Sequence, residues 1–171
     1  MLTGDHVALR AIEPDDLETL RAWRNDPRMR RNFRERNDIS PEQQRAWYER
    51  TSADPNQHLY AIEAGGRLVG AGGLLYVDTV SKLADFSLYI GDAYVDDTYA
   101  PDAARVLLDH AFGELGLHRV WVEVYAFDTK KQALVERLGF TLEGRHRDHR
   151  YEDGAWHDSL FYGLLDGEWR P

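Results

Sequence analysis

The stretch PDAARVLLDHAFGELGLHRVWVEVYAFDTKKQALVERLGF, residues 101–140, predicts a helix, a strand and a second helix in close succession. Apolar residues recur at helical spacing in its first part, namely Ala104, Leu107, Leu108, Ala111, Phe112 and Leu115. Pro101 suits the first turn of this helix, and Gly116 suits its end. Residues 119–125 alternate between polar and apolar side chains like a half-buried strand, and Asp128 can cap the helix that follows. The stretch therefore indicates a domain that mixes helices with a sheet.

Length, charge and cysteine content limit the classes of protein to which this chain can belong. Its 171 residues, 43% of them apolar, suit one folded domain that spans residues 1–171. The net charge of −9 argues against broad, nonspecific binding of nucleic acid. The absence of cysteine excludes disulfides, thiolate metal sites and cysteine nucleophiles, and no motif predicts a metal site. Because we find neither a membrane-spanning run nor a signal pattern, we expect a cytoplasmic protein without a membrane partner.

The order of the predicted elements is typical of a mixed α/β fold. They are a strand at 7–10, a helix beginning near 13 and ending before 27, a helix opened by the capping box at 40–43, strands at 59–63, 68–75 and 84–91, the three elements of 101–140, and strands at 142–151 and 156–165. Several neighbouring strands are separated only by tight turns, so hairpins are expected rather than a uniform series of parallel strands.

Residues 107–140, LLDHAFGELGLHRVWVEVYAFDTKKQALVERLGF, resemble the core of the GNAT acyltransferase superfamily. The resemblance is greatest to the branch that acetylates ribosomal-protein N-termini and small amines. WRND at 23–26, ADFSLYIGD at 84–92 and GAWHDSLFYGLLDGEW at 154–169 are also similar to that branch. The resemblance covers nearly the whole chain and implies the GNAT fold, which is α+β. Its central sheet is mixed and mostly antiparallel, with two parallel middle strands that splay apart and about four helices.

The resemblance implies an N-acyltransferase that moves an acyl group, by default acetyl, from a CoA thioester to an amine by direct attack. Acetyl-CoA or another acyl-CoA is then the donor, and a small molecule or a peptide supplies the acceptor amine. Two alternatives stay open: a transferase of the same fold that uses a non-CoA donor such as aminoacyl-tRNA, and a binding module that has lost catalysis. The oligomeric state is open as well, a homodimer included.

The donor site implied by the resemblance lies between the strand that ends at Ile90 and Gly91 and the strand at 120–125. The resemblance assigns binding of the CoA pyrophosphate and arm to Val95, Thr98, Tyr99, Ala100 and Asp128. In the family pattern an Arg or Gln stands in place of Val95, and a glycine in place of Thr98. Asp96 and Asp97 add negative charge beside the expected phosphates. We therefore predict that these two side chains point away from the amides of the turn if CoA is the donor.

Two residues are candidates for proton transfer. An attacking amine must lose a proton, and Asp85 occupies a position where the branch often has Glu, so we expect it to act as a general base through water. Val135 stands where the family usually has the tyrosine that protonates the leaving thiolate, and valine cannot donate a proton. Tyr125, at the end of the strand beside the expected tunnel, is the candidate for that role.

The acceptor groove is shaped in this superfamily by the first two helices and the last hairpin. The residues that this resemblance makes candidates for acceptor binding are Trp23, Arg24, Asn25, Phe33, Arg145 and Arg147. Their arginines favour an acceptor or donor with a carboxylate or phosphate, because guanidinium groups bind these anions in a bidentate manner.

Overall fold

The computed structural model describes residues 1–91 and 98–170. Its strands are β1 Leu2–Thr3, β2 Ala8–Ala11, β3 His58–Ala64, β4 Arg67–Asp78, β5 Leu83–Ile90, β6 Arg119–Tyr125, β7 Thr141–Glu152 and β8 Ala155–Leu165. Its helices are α1 Leu17–Asn25, α2 Pro27–Arg30, α3 Pro41–Ala53, α4 Tyr99–Asp109 and α5 Thr129–Arg137. A short 3-10 turn at Pro14–Asp16 precedes α1, and a π turn at His110–Glu114 follows α4.

The eight strands form one sheet in the order β1-β2-β3-β4-β5-β6-β8-β7. All neighbours in this sheet are antiparallel except β5 and β6, which are parallel. The parallel pair is joined at three positions only, and the last of these pairs Asp85 with Trp121. The strands therefore separate beyond Asp85, as expected for the GNAT fold.

Local sequence signals account for most of the helix boundaries. Ser40 and Gln43 form the predicted capping box, in which each side chain accepts from the backbone N–H of the other residue. Helix α2 was not expected, so the described part of the chain has five helices rather than about four. It forms because Asp26 accepts a hydrogen bond from the Arg28 amide, 2.9 Å away, and because Pro27 suits a first helical turn.

The main core lies between α4 and one face of the sheet. Its fully buried members include Phe86 of β5, Leu107 and Leu108 of α4, and Val120 of β6. Val135 of α5 belongs to the same core. The opposite face of β5 carries Asp85, Ser87 and Tyr89, toward α1 and α2. In the described parts of the chain, no helix has the length and apolar character needed to cross a membrane.

Candidate active site

A cavity of about 530 Å³ opens where β5 and β6 separate. From α1, α2 and the segment after them come Arg24, Arg28, Met29, Asn32, Phe33 and Arg34. From α4 and α5 come Ala100, Pro101, Asp128, Lys130, Lys131, Ala133, Leu134 and Arg137. The residues that line the cavity therefore come from helices on both sides of the sheet.

Two carboxylates share one guanidinium on the α1 side of this cavity. Asp85 Oδ2 lies 3.1 Å from Arg34 Nη1, and Glu123 Oε2 lies 2.8 Å from Arg34 Nε. Asp85 is 3% exposed, and this burial raises its pKa although the charge of Arg34 partly offsets the effect. Burial would also raise the pKa of Glu123, but hydrogen bonds from Ser159 and Arg34 outweigh it and lower that pKa. The environment thus makes Asp85 the better proton acceptor of the two.

Glu123 is held in place by a second set of contacts on its other oxygen. Ser159 Oγ donates a hydrogen bond of 2.7 Å to Glu123 Oε1. His149 Nδ1 lies 2.8 Å from the same hydroxyl and 3.4 Å from Glu123 Oε1. Glu123 is therefore fixed by β8 and β7 as well as by Arg34.

Helix α5 presents a lysine to the cavity from the opposite side of the sheet. Asp128 caps this helix by accepting a hydrogen bond from the Lys131 amide, 3.0 Å away. This cap fixes the first helical turn, and the Lys131 side chain lines the cavity. Burial lowers the pKa of Lys131, against the opposing effects of Asp128 and Asp85.

Two tyrosines complete the polar lining of the cavity. Burial raises the pKa of Tyr89 to about 12. Burial also raises the pKa of Tyr125, and the guanidinium of Arg150 lies over its ring, 4.8 Å from the centroid. Tyr89 contacts Phe33 edge to face, with ring centroids 5.1 Å apart. The Arg24 guanidinium lies over the Phe33 ring, 4.4 Å from its centroid.

The structure brings only some of the residues predicted from sequence to this cavity. Those that line it are Arg24, Phe33, Asp85, Ile90, Ala100, Tyr125 and Asp128. Thr98 and Tyr99 lie at the start of α4 but are not among its described lining residues. Val95, Asp96 and Asp97 lie outside the described residues, so the predicted orientation of the two aspartates stays a prediction.

Five further candidates do not line the cavity, and four of them have structural partners elsewhere. Asn25 exchanges two hydrogen bonds with the Ile39 backbone, of 2.9 and 2.8 Å. Arg145 pairs with Asp158 at 2.7 Å, and neither Arg145 nor Arg147 belongs to the described lining. The remaining two residues, Trp23 and Gly91, contact each other.

Gly91 directly follows β5, at a position where only a glycine fits. A Cβ atom at this position would lie 2.4 Å from Trp23 Cε2, and the Gly91 amide donates to the Val69 carbonyl at 2.8 Å. Trp23 also meets Tyr89 edge to face, with ring centroids 6.4 Å apart. Both residues therefore shape the wall behind the cavity, and the Gly91 amide is already bonded within the sheet.

Three residues of the site were missed by sequence reasoning: Arg34, Glu123 and Lys131. The alternation of β6 did contain a signal for Glu123, since it lies on the same side of the strand as Tyr125. Nothing local distinguishes Arg34 from the other arginines around it. No cluster of three or more His, Asp and Glu side chains among residues 1–91 and 98–170 could hold a metal ion.

Comparisons with known proteins agree with this fold. Residues 6–141 match the sequence model of the acetyltransferase (GNAT) domain. The chain is 33% identical over 177 residues to "Putative ribosomal N-acetyltransferase YdaF" of Bacillus subtilis (strain 168), covering 97% of this chain and 94% of that protein. It is 22% identical over 160 residues to spermidine N(1)-acetyltransferase of Escherichia coli (strain K12), covering 94% and 86%.

The fold is also similar to that of a solved enzyme with ligands. The crystal structure of spermidine N-acetyltransferase from Vibrio cholerae in complex with CoA and spermine superposes with a TM-score of 0.90. The two chains are 22% identical, and the alignment covers 95% of this chain and 97% of that one. Because the domain match spans most of the chain and the Bacillus relative is 33% identical over nearly all of it, the chain belongs to the GNAT acetyltransferase family and is an acyltransferase.

Proposed function

We propose that this enzyme transfers an acetyl group from acetyl-CoA to a primary amine by direct attack inside the cavity between β5 and β6. The observation that carries this proposal is the end of strand pairing at Asp85 and Trp121. It leaves β5 from residue 86 onward without a paired residue in β6, and a buried carboxylate stands where the gap begins. The amine attacks the thioester carbonyl, the C–N bond forms, and the C–S bond breaks without a covalent enzyme intermediate.

The donor side of the cavity has features that suit CoA. The free edge of β5 can bind an extended pantetheine arm as if it were another strand, through main-chain hydrogen bonds. Ala100 and Pro101 line the cavity at the start of α4, where the positive end of the helix dipole favours anions. Lys130 and Arg137 of α5 also line the cavity and add positive charge to it. The amide of Gly91 is excluded from this role, because it is bonded to Val69.

The acceptor side supplies a base and a defined electrostatic environment. Asp85 accepts the proton that the attacking amine loses, directly or through one water molecule. Asp85 and Glu123 place two carboxylates at this position, and their oxygens can accept hydrogen bonds from an ammonium group of the acceptor. Capture and deprotonation of the amine therefore occur at the same place.

The acceptor that fits best is an amine with an anionic group close by, in a small molecule or at a peptide terminus. The Arg24 guanidinium lies over Phe33 beside this cavity, and within the described residues no carboxylate forms an ion pair with it. A carboxylate or phosphate of the acceptor can bind it in a bidentate manner. A polyamine would instead place several positive charges near Arg24, Arg28 and Arg34, and we propose that it is a poorer substrate.

A thermal-shift experiment with CoA and acetyl-CoA tests the donor. A ligand at 100 times its Kd adds about 2.7 kcal/mol of stability, so a clear rise in Tm is expected. Stabilisation by charged tRNA and not by CoA would favour a non-CoA donor. Stabilisation by CoA, with no acetylated product from a panel of amino acids, peptides, phosphorylated amines and polyamines, would favour a binding module. Mass spectrometry of that panel identifies the acceptor class.

A further inference from the structure

We propose that Lys131 is the general acid that protonates the thiolate leaving group. The inference rests on the proposed function, because acyl transfer from any thioester expels a thiolate. It concerns the donor side of the reaction, whereas Asp85 acts on the acceptor side. The thiolate must receive a proton, and the residue that gives it must line the cavity, carry a proton at neutral pH and be able to release it.

The position of Lys131 satisfies the first requirement. The residue lies in the first turn of α5, and its side chain lines the cavity. Val135, one turn later, is completely buried in the core, so this helix is firmly seated against the sheet. Among residues 1–91 and 98–170, no carboxylate forms an ion pair with the Lys131 ammonium. Its proton is thus available to a group in the cavity.

The arginines and tyrosines of the cavity are less suited to the role. The arginines keep their protons at any physiological pH, since a free guanidinium titrates above about 12. The pKa of Tyr89 is raised to about 12 by burial, and burial also raises the pKa of Tyr125. Tyr125 is the residue that sequence reasoning favoured, and its raised pKa makes proton release harder. A free thiol has a pKa of about 8.5, so a general acid whose pKa is close to neutral can protonate the thiolate efficiently.

The groups around Lys131 move its pKa in that direction. Burial lowers it most, and Arg34, from the segment after α2, acts in the same sense. Asp128 of its own helix, Asp85 of β5 and Glu123 of β6 oppose the change, but the pKa of Lys131 stays below the ordinary lysine value. The Lys131 ammonium is therefore within electrostatic range of Asp85 and Glu123.

The proposed proton transfers balance. The bound ammonium first loses one proton to solvent through Asp85, which is ionised again before the attack. The amine lone pair then forms the C–N bond, the C–S bonding pair moves to sulfur, and the sulfur takes a proton from Lys131 Nζ. The new amide nitrogen sheds its extra proton to Asp85. Lys131, left neutral, regains a proton from Asp85 or solvent, so that the cycle releases one proton for each ammonium acetylated.

The first test measures Lys131 without any turnover. The sequence has three lysines, Lys82, Lys130 and Lys131, so NMR of protein labelled with ¹³C at the lysine ε-carbon should give three side-chain signals. Lys131→Arg assigns the third one. We expect its titration midpoint to lie below the ordinary lysine value of about 10.4. A midpoint at or above that value would overturn the inference even if the enzyme acetylates amines.

The second test uses Lys131→Arg and Lys131→Met, with Lys82→Arg as the control on an exposed turn. Arginine keeps the charge but cannot release a proton, so kcat should fall on the order of a hundredfold in both Lys131 variants while the donor KM stays similar. The loss should shrink with an acetyl aryl thioester, whose leaving thiolate needs no proton. A wild-type kcat in Lys131→Arg, or a rise in the donor KM of the Lys131 variants without a fall in kcat, would overturn the inference. Failure of the wild-type enzyme to acetylate any amine would instead contradict the proposed function.

Discussion

Asp85 and Trp121 form the last residue pair between β5 and β6, and beyond them the two parallel strands separate. This position joins the fold to the chemistry. The carboxylate of Asp85 is buried at the point where the gap begins, and the gap is where a thioester can lie beside it. Because Asp85 belongs to the last residue pair of the two strands, the proposed base is held at the start of the gap in which the donor is proposed to lie.

Replacement of Asp85 by Asn should remove the general base and retain the channel. We expect turnover to fall on the order of a hundredfold, with CoA binding nearly unchanged in a thermal-shift experiment. The loss should diminish at high pH, where more of the acceptor amine is deprotonated by solvent. Asp15→Asn, on an exposed turn, is the matched control. Wild-type turnover in Asp85→Asn across the pH range would remove Asp85 from the mechanism.

Replacement of Arg34 by Gln should move the acid limb of the pH profile. Burial raises the pKa of Asp85, and the charge of Arg34 partly offsets that effect. Asp85 accepts a proton only when ionised, so activity falls as the pH drops through its raised pKa. Without Arg34 this pKa rises further, and kcat should begin to fall at a higher pH than in the wild type. A profile that coincides with those of the wild type and of the exposed control Arg105→Gln would show that Arg34 does not tune Asp85.

The sequence predicted the stretch at 101–140 well because its signals are local. Gly116 and Gly139 both have positive φ, 59° and 93°, as expected of residues that end helices. Strand β6 was predicted at its observed bounds. In contrast, the cluster of Arg34, Asp85 and Glu123 depends on the register of two strands and on the position of the segment after α2, and no local pattern contains that information.

Candidate residues that were chosen by their position in the family pattern also depend on tertiary contacts that the sequence does not reveal. Asn25 was predicted to bind the acceptor. The chain after α2 folds back onto α1, and the backbone N–H and C=O of Ile39 bind the oxygen and nitrogen of the Asn25 side-chain amide. Sequence position could not show this, because the contact depends on how a loop folds back. The residue types in the sequence indicated the chemistry of the site. Tertiary contacts determine which individual arginines, carboxylates and lysines belong to it.

Asp102 should be a strong contributor to stability although it lies outside the cavity. Its buried carboxylate accepts hydrogen bonds from the amides of Asp5, His6 and Val7, at 3.2, 2.7 and 3.0 Å. Asp102→Ala leaves these donors unpaired, and we expect it to lower the free energy of unfolding by about 3 kcal/mol in urea titrations. Asp102→Asn keeps one acceptor oxygen and should lose less. Equal stability of the alanine variant and the wild type would contradict this role.

The same carboxylate gives a pH dependence with a defined sign. Burial would raise the pKa of Asp102, but the three backbone donors outweigh it and lower that pKa. Its contribution to stability is therefore present above the ordinary aspartate pKa and is lost as the pH falls through the lowered value. The difference in unfolding free energy between the wild type and Asp102→Asn should shrink over that range and stay constant near neutral pH.

Gly91→Ala should disturb the end of β5 by steric overlap. The added Cβ would lie 2.4 Å from Trp23 Cε2, so the ring must move or the strand must shift. We expect a loss of about 1 to 3 kcal/mol in unfolding free energy, the usual cost of overpacking, together with a higher KM for the donor. Gly113→Ala, where no atom lies within 4 Å of the new Cβ, is the control. Identical Tm values for the two variants would contradict the steric argument.

Hydrogen exchange of the β5 amides, measured by NMR with and without CoA, tests the central claim most directly. The amides of residues 86–90 that are not bonded to β4 face the gap, where the pantetheine arm is proposed to lie. We predict that CoA slows their exchange, because the arm accepts their hydrogen bonds, while amides of β2 and β3 exchange as before. Bound CoA that leaves every amide beyond Asp85 unprotected would contradict the account.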